Sequence, residues 1–383
     1  MTIDPPAMFH VSPAEVVSTR LSDGRELIYF DDTPNPTRVL TDSRDLPVVE
    51  PASVARYDAL LGEWVGIAGH RQTRTYHPPA NQCPLCPTRS TFQTEIPSPD
   101  YDVVVFENRF PSFGGVLPAG AVVAISQDGT DPVGTAAVFG EIPGVGRCEV
   151  VCFTSDHDAE FADLDPGRVS TVIQAWAQRT AALNSIPGLQ QVFCFVNQGV
   201  EIGVTLAHPH GQIYGYPFIT PKTKSMLANV ADYRSRTGDN LFGVLLAREI
   251  ADGTRIVAEN ENWLAFVPFT ARWPVEVSIY PKQQIPDLPA TSTAQRQSLA
   301  TIYLEVLHRM GGVFDDTLPA ITAIHQAPAH TGRADFWMHF SAFSIRRAVG
   351  KIKYLAGSES GMGAFVNDIT PEDAAARLRA VQI

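Results

Sequence analysis

One stretch near the middle of the chain constrains its fold and chemistry most strongly. Residues 197–216 read NQGVEIGVTLAHPHGQIYGY and centre on His208, Pro209 and His210. In an extended strand, residues two apart point to the same side, which would place the two imidazoles about 7 Å apart. Pro209 donates no ladder hydrogen bond, so the strand is expected at a sheet edge or just beginning. A polar surface strand is the alternative, but imidazoles beside exposed amides and neutral donors suit phosphoryl or nucleotidyl transfer through histidine.

Composition describes an acidic globular chain. Its 383 residues, 44% hydrophobic and 18% charged, are typical of globular proteins and allow two domains. The formal net charge of −12 leaves no basic excess for phosphates, which argues against a general nucleic-acid binder. An anionic substrate therefore needs a local basic pocket. No apolar run reaches the length of a membrane span, and the first residues lack a secretory signal pattern.

The cysteines indicate a metal site. Cys83 and Cys86, in the sequence CPLC, have metal-ligand or redox spacing, and the other three of the five cysteines lie in apolar runs typical of strands. This odd set fits a reduced, cytoplasmic setting better than a disulfide framework. His157 and His208 could complete a tetrahedral Cys2His2 zinc site with a structural role. A Cys83–Cys86 disulfide is the alternative.

The two halves of the chain repeat an order of strand, strand, helix, strand and strand. The first helix is predicted to begin after Asp165, with Pro166 at its first position and an apolar stripe facing the core. A second helix is predicted over residues 293–310. Residues 256–260 (IVAEN) are matched to 104–108 (VVFEN), and residues 337–341 (WMHFS) to the HPHGQ motif.

This order predicts an α+β fold of tandem pseudo-symmetric units, with antiparallel sheets flanked by helices. The predicted boundaries are an N-terminal arm over 1–50, a first unit over 51–220 and a second over 221–383. Within them we expect a hairpin around residues 26–30, a strand at 122–125 and a glycine- and serine-rich loop over 353–368.

From Arg56 to the C-terminus, the chain resembles the galactose-1-phosphate uridylyltransferases, a branch of the histidine triad superfamily. The resemblance rests on RYDALLGEWV, CPLC, VVFENRFP, SDH at 155–157, NQGVEIGVTLAHPHGQIYGYPF, HQAP at 325–328 and the terminal KYLAGSE with its helix. It implies a double displacement in galactose metabolism. His210 would attack the α-phosphorus of UDP-glucose, release glucose 1-phosphate and pass the uridylyl group to galactose 1-phosphate. A neutral imidazole is a good nucleophile near neutral pH and a fair leaving group when charged.

The resemblance also assigns residues around the nucleophile. Gln212 and Thr205 would hydrogen-bond the phosphoryl oxygens, although relatives usually have serine at position 205. Asn108 and Arg109 would lie near uracil and ribose, where relatives often have Asn-Asp. The C-terminal segment would reach the sugar phosphate from a partner subunit, since the family is dimeric. The candidate substrate contacts are Arg71, Arg74, Asn108, Arg109, Asn197, Gly199, Lys353, Gly357 and Glu359.

All four candidate zinc ligands match the family, which implies one structural zinc per chain. Many relatives carry a second metal site built from a glutamate and three histidines. His325 and His339 match two of those histidines, but Trp337 replaces the third and no convincing glutamate follows Tyr216. We therefore expect no second iron-type site.

Two other functions remain open on sequence alone. One is a nucleotidyl phosphorylase or hydrolase, in which phosphate or water resolves the intermediate on His210. The other is a catalytically silent, zinc-stabilised binding protein. The matching C-terminal segment favours the transferase, and the intact His210 and Gln212 disfavour the silent protein.

Overall fold

A computed structural model describes residues 15–48, 53–73, 77–115, 139–314 and 318–383. The candidate residue Arg74 and the strand predicted at 122–125 lie outside these ranges. The first nine strands are β1 (Glu15–Arg20), β2 (Glu26–Asp31), β3 (Val54–Asp58), β4 (Glu63–Ile67), β5 (Val103–Glu107), β6 (Glu141–Pro143), β7 (Arg147–Cys152), β8 (Gln191–Gln198) and β9 (His210–Tyr216). The later strands are β10 (Ile256–Glu259), β11 (Trp263–Phe266), β12 (Val275–Pro281), β13 (Ala320–His325), β14 (His339–Ser344), β15 (Arg346–Ala348) and β16 (Lys351–Ile352). The helices are α1 (Pro166–Asn184), α2 (Pro221–Thr237), α3 (Leu241–Asp252), α4 (Thr293–Gly311), α5 (Gly357–Met362) and α6 (Pro371–Ala380).

One antiparallel sheet runs through both halves of the chain. Its eleven strands follow the order β1-β2-β5-β7-β9-β8-β13-β14-β12-β11-β10. The halves join where β8 pairs with β13, so the two units share a continuous sheet. The predicted α+β class with antiparallel strands and flanking helices is confirmed, whereas the unit boundaries remain a prediction.

The strand order corrects one match between the halves. Counted outward from the β8–β13 junction, β5 and β11 occupy the same place, and β10 lies one strand further out. The counterpart of the strand at 103–107 is therefore Trp263–Phe266, and the match to residues 256–260 is wrong. The four consecutive buried residues of β11 show no alternation of apolar and polar side chains that would reveal a strand.

Helices α1 and α4 cover one face of this sheet. Asp165 accepts hydrogen bonds from two backbone amides of the first turn of α1 and Pro166 takes the first position, as predicted. The predicted stripe is fully buried, and its Trp176 ring lies 6.4 Å from the Phe340 ring of β14. Phe340 in turn lies 5.4 Å from Tyr303 of α4, measured between ring centroids. One hydrophobic cluster thus spans both halves.

Other parts of the fold were not predicted. Helix α2 begins with Pro221 at its first position and ends with Gly238 as its C-terminal cap, helix signals that sequence analysis did not use, and its partly buried Met226 and Leu227 pack with Val230. The segment 353–368, predicted as a loop, contains the short helix α5. The hairpin predicted around residues 26–30 is present, but β1 and β2 belong to the main sheet rather than to a separate arm. Within the described ranges, every helix is too short or too polar to cross a bilayer.

The shared core predicts the cost of removing its largest side chain. Trp176→Ala should lower the free energy of unfolding by about 3–5 kcal/mol, because it deletes a fully buried indole and leaves a cavity. Leu60→Ala is the control, since Leu60 is 97% exposed, and should change stability by less than about 0.5 kcal/mol. Denaturant unfolding followed by circular dichroism measures both, and equal stability of the two variants would contradict the shared core.

Candidate active site and metal centre

The candidate nucleophile lies at the first residue of a central strand. Strand β9 begins at His210 and pairs with β7 on one side and β8 on the other. Pro209 precedes the strand, which agrees with the expectation that the strand is just beginning and rejects the sheet-edge alternative. His208 also lies outside the strand, so the alternation that would place both imidazoles together does not apply to it.

The alternation along β9 separates core from site. Ile213 belongs to the hydrophobic core under α1, and Gly211 is buried on the same face. A Cβ atom at Gly211 would lie 2.8 Å from the Phe153 ring and 3.0 Å from the Phe195 carbonyl oxygen, so the close strand pairing requires glycine. His210 and Gln212 point to the opposite face, where they line a cavity of about 360 Å³.

The hydrogen bond of His210 fixes its tautomer. Nδ1 lies 2.8 Å from the backbone carbonyl oxygen of His208. Because a carbonyl only accepts, the proton is assigned to Nδ1, which leaves the lone pair on Nε2. Burial lowers the pKa of His210 and so favours the neutral ring. The imidazole is thus held in the form that an Nε2 nucleophile needs.

Four of the nine predicted substrate contacts, and all three predicted catalytic residues, line this cavity. Asn197 lines the cavity from β8, the strand next to that of His210. Arg71 also lines the cavity, and its Nη1 lies 3.4 Å from the Tyr214 hydroxyl. Gly199 instead lines a neighbouring cavity of about 220 Å³ that also touches His210. The predicted residues that line the first cavity are Arg71, Asn108, Arg109, Asn197, Thr205, His210 and Gln212.

The C-terminal candidates lie elsewhere in the same chain. Lys353 is buried and donates from Nζ to the carbonyl oxygens of Arg272, at 2.9 Å, and Val366. Gly357 is exposed at the start of α5, and Glu359 is half-buried in the same helix. None of these three lines either described cavity that contains His210.

Four side chains converge on a candidate metal centre beside the nucleophile. The ligand atoms of Cys83, Cys86, His157 and His208 all lie within 4.8 Å of one another. The Sγ of Cys86 lies 3.3 Å from His157 Nδ1 and 3.5 Å from His208 Nδ1. Tetrahedral zinc with ordinary bond lengths separates sulfur and nitrogen ligands by about 3.6 Å. All five cysteines are free, which rejects the Cys83–Cys86 disulfide in this structure.

Hydrogen bonds to neighbouring groups orient His208 for metal binding. Its Nε2 lies 2.9 Å from the Thr154 carbonyl oxygen and 2.8 Å from the Tyr101 hydroxyl. These contacts place the ring proton on Nε2 and leave Nδ1 to face the cysteines, as an outer hydrogen bond does for metal-binding histidines. Burial lowers the pKa of His208 to about 4, so the ring is neutral near pH 7. The donor set fits a metal ion.

The metal centre and the cavity share a wall. Pro84 and Leu85, between the two cysteines, line the cavity. The backbone N–H of Glu95 donates to the Pro84 carbonyl oxygen at 3.0 Å, and the Tyr101 hydroxyl donates to that of Leu85 at 2.9 Å. Sequence analysis did not single out Glu95, which also lines the cavity, because only long-range contacts place it there.

Comparison with known proteins now identifies the family. A family model for the N-terminal domain of galactose-1-phosphate uridyl transferase matches residues 40–220, and the model for the C-terminal domain matches residues 226–383. The chain belongs to the galactose-1-phosphate uridylyltransferase family. A member from Streptomyces lividans is 44% identical over 95% of this chain and 97% of its own length.

Solved structures agree with this family in fold. A uridylyltransferase structure, 30% identical, matches with a TM-score of 0.73 over 85% of this chain and 98% of its own. An ADP-glucose phosphorylase from Arabidopsis thaliana with bound ADP-glucose, 21% identical, matches with a TM-score of 0.63 over 87% of this chain and 100% of its own. The same fold therefore also occurs in a phosphorylase, so the choice between transferase and phosphorylase depends on the family match.

Proposed function

We propose that this protein transfers UMP from UDP-glucose to galactose 1-phosphate through a covalent uridylyl group on His210. The observation that carries the proposal is the orientation of His210, whose Nδ1 bonds to the His208 carbonyl while the ring lines the cavity. In the first step Nε2 bonds to the α-phosphorus and the bond to glucose 1-phosphate breaks. In the second step a phosphate oxygen of galactose 1-phosphate displaces Nε2 and yields UDP-galactose.

The neighbours of His210 supply charge stabilisation for both steps. Gln212 lies two residues further along β9 on the same face, and Thr205 lines the cavity from the loop before the strand. Their neutral donors would hydrogen-bond the phosphoryl oxygens as charge develops. Arg71 and Arg109 line the same cavity and give the acidic chain a local basic site for a nucleotide. In the intermediate, His210 keeps the proton on Nδ1 while Nε2 is bonded to phosphorus, so the ring is positively charged. The negative charge of the phosphoryl oxygens balances it.

We also propose that the Cys2His2 cluster binds zinc with a structural role. Cys83, Cys86, His157 and His208 would provide the four ligands, which leaves no open position for a substrate. Zinc would hold the Pro84–Leu85 wall against the sheet. We also propose that the second half holds no iron-type metal site. At the matching position in that half, Nζ of Lys222 lies 3.5 Å from Nε2 of His325.

A homodimer is the third part of the proposal. Gly357 and Glu359 would contact the sugar phosphate in the partner's site, because they lie outside the cavities of their own chain. Lys353 was predicted to join them, but its buried Nζ donates to two carbonyl oxygens and would instead hold their segment in place. Their segment exposes large apolar side chains, with Tyr354 75% and Met362 82% exposed, which suits burial against another copy. We further propose a cytoplasmic location, which the five free thiols support.

Covalent uridylylation is the first prediction for this site. Brief incubation with UDP-glucose alone should add one uridylyl group to the wild type, detected by intact-mass spectrometry, and none to His210→Gly. His330→Gly, which removes an exposed histidine, is the control and should be labelled like the wild type. Labelling of His210→Gly would refute the nucleophile. UDP-glucose that is steadily hydrolysed without an adduct would favour the hydrolase.

Zinc removal is the second prediction. Cys86→Ser should lose the metal and lower the Tm by about 5 °C or more, because a few kcal/mol of binding energy is lost from the folded state. Cys194→Ser is the matched control, since Cys194 is a buried thiol outside the cluster, and it should retain one zinc per chain. Elemental analysis and thermal unfolding measure these effects, and an unaltered zinc content in Cys86→Ser would reject the ligand set.

The dimer predicts complementation between two inactive variants. His210→Gly and Glu359→Gln should each lose transferase activity, whereas the mixed and re-equilibrated subunits should recover about a quarter of wild-type activity, since half of the dimers then hold one intact site. Recovery requires Glu359 to act in the partner's site. No recovery in mixtures with proven subunit exchange would mean that Glu359 acts within its own chain or not at all.

A further inference from the structure

One carboxylate lines a cavity that otherwise suits an anion. Among the described residues around the cavity, Glu95 is the only one that carries a carboxylate, whereas Arg71 and Arg109 are cationic. A carboxylate opposes the phosphate groups of a nucleotide by like-charge repulsion. The position of Glu95 in the cavity wall therefore suits a part of the ligand that donates hydrogen bonds.

Two arginines from the N-terminal segment hold Glu95 in position. Arg25 Nη2 donates to Glu95 Oε2 at 2.6 Å, and Arg44 Nη1 lies 3.2 Å from Oε1. Arg25 also donates from Nη1 to the Glu107 carbonyl oxygen at 2.8 Å. The carboxylate is thereby tied to the end of β5, where Asn108 and Arg109 enter the cavity. Its side chain is only 9% exposed, so its position is fixed before any ligand arrives.

Acceptors are otherwise scarce at this end of the cavity. Arg109 is a donor only. The side-chain oxygen of Asn108 already accepts from the Phe110 N–H at 2.8 Å, and the Glu107 carbonyl accepts from Arg25. A carboxylate offers about four lone-pair positions. Arg25 and Arg44 both donate to Oε2 and Arg44 also pairs with Oε1, which leaves one position open on Oε1. Glu95 is thus the strongest acceptor available here.

We propose that Glu95 accepts a hydrogen bond from a ribose hydroxyl of the uridine nucleotide. This rests on the proposed function, since it assigns one contact of the same nucleotide. A ribose hydroxyl can donate to the open position of Oε1, as ribose hydroxyls do to acidic residues at other nucleotide sites. The uracil edge instead presents one N–H between two carbonyl oxygens, which would repel the second carboxylate oxygen. The apolar wall of Leu85, Phe106 and Val150 suits the flat base.

Ligand pairs that differ only in the ribose test this assignment. The full-length His210→Gly protein, which cannot turn over, is titrated calorimetrically with UDP and with 2′,3′-dideoxy-UDP. Adding Glu95→Gln should raise the Kd for UDP about tenfold or more, because a charge-assisted hydrogen bond is lost. The Kd for the dideoxy nucleotide should change by less than about twofold, because that ligand never made the bond.

Two further variants keep the test decisive if Glu95→Gln disturbs Arg25 and Arg44. Glu95→Asp retains the charge but withdraws the carboxylate, and it should produce the same selective loss. Glu107→Gln is the control, since Glu107 pairs with Arg147 at 2.6 Å without lining the cavity, and it should leave both Kd values unchanged. Equal loss for both ligands, or no loss for either, overturns the assignment. Failure of UDP to bind the His210→Gly protein at all would overturn the proposed function with it.

Discussion

The start of β9 at His210 is the constraint on which the site depends. Pro209 has no amide hydrogen, so the ladder with β7 and β8 cannot extend back through it. Instead its carbonyl oxygen accepts from the Phe153 N–H at 3.4 Å, and the chain turns immediately before the strand. That turn sends His208 towards the cysteines and leaves its carbonyl to orient His210. Two histidines separated by one residue thereby take separate roles, which strict strand alternation would not allow.

The candidate metal cluster and the cavity wall share residues and a stretch of backbone. His208 provides both a candidate ligand atom and the carbonyl that orients His210, and Leu85 lies between two candidate cysteine ligands while lining the cavity. Hydrogen bonds from Glu95 and Tyr101 fix the carbonyls of Pro84 and Leu85. A structural metal bound there would therefore preserve the geometry of the candidate site without contacting a substrate, because it would restrain the backbone on which that geometry depends.

Sequence reasoning succeeded where local patterns determine structure. The cap of α1 and its buried stripe follow from residue types at fixed spacing. The cluster of Cys83 and Cys86 with His157 and His208 joins three separate segments, and the family resemblance matched all four residues. Sequence reasoning failed where position depends on distant contacts. Helix α2 is a separate case, because Pro221 at its first position and Gly238 at its end are local helix signals that sequence analysis did not use. Glu95 gains its place from Arg25 and Arg44, which lie 70 and 51 residues away in sequence, and no spacing rule anticipates such a contact.

The second half preserves the backbone of the site but not its chemistry. His339 begins β14 as His210 begins β9, and its Nδ1 lies 3.0 Å from the Trp337 carbonyl oxygen, the same bond that His210 makes to His208. Its ring, however, stacks on Tyr280 at 4.6 Å and on His325 at 4.7 Å between centroids, and it is buried. A nucleophile needs a ring nitrogen that a phosphorus atom can reach. The orienting hydrogen bond is therefore a property of the shared backbone, and access to the cavity is what distinguishes His210 as the candidate catalytic histidine.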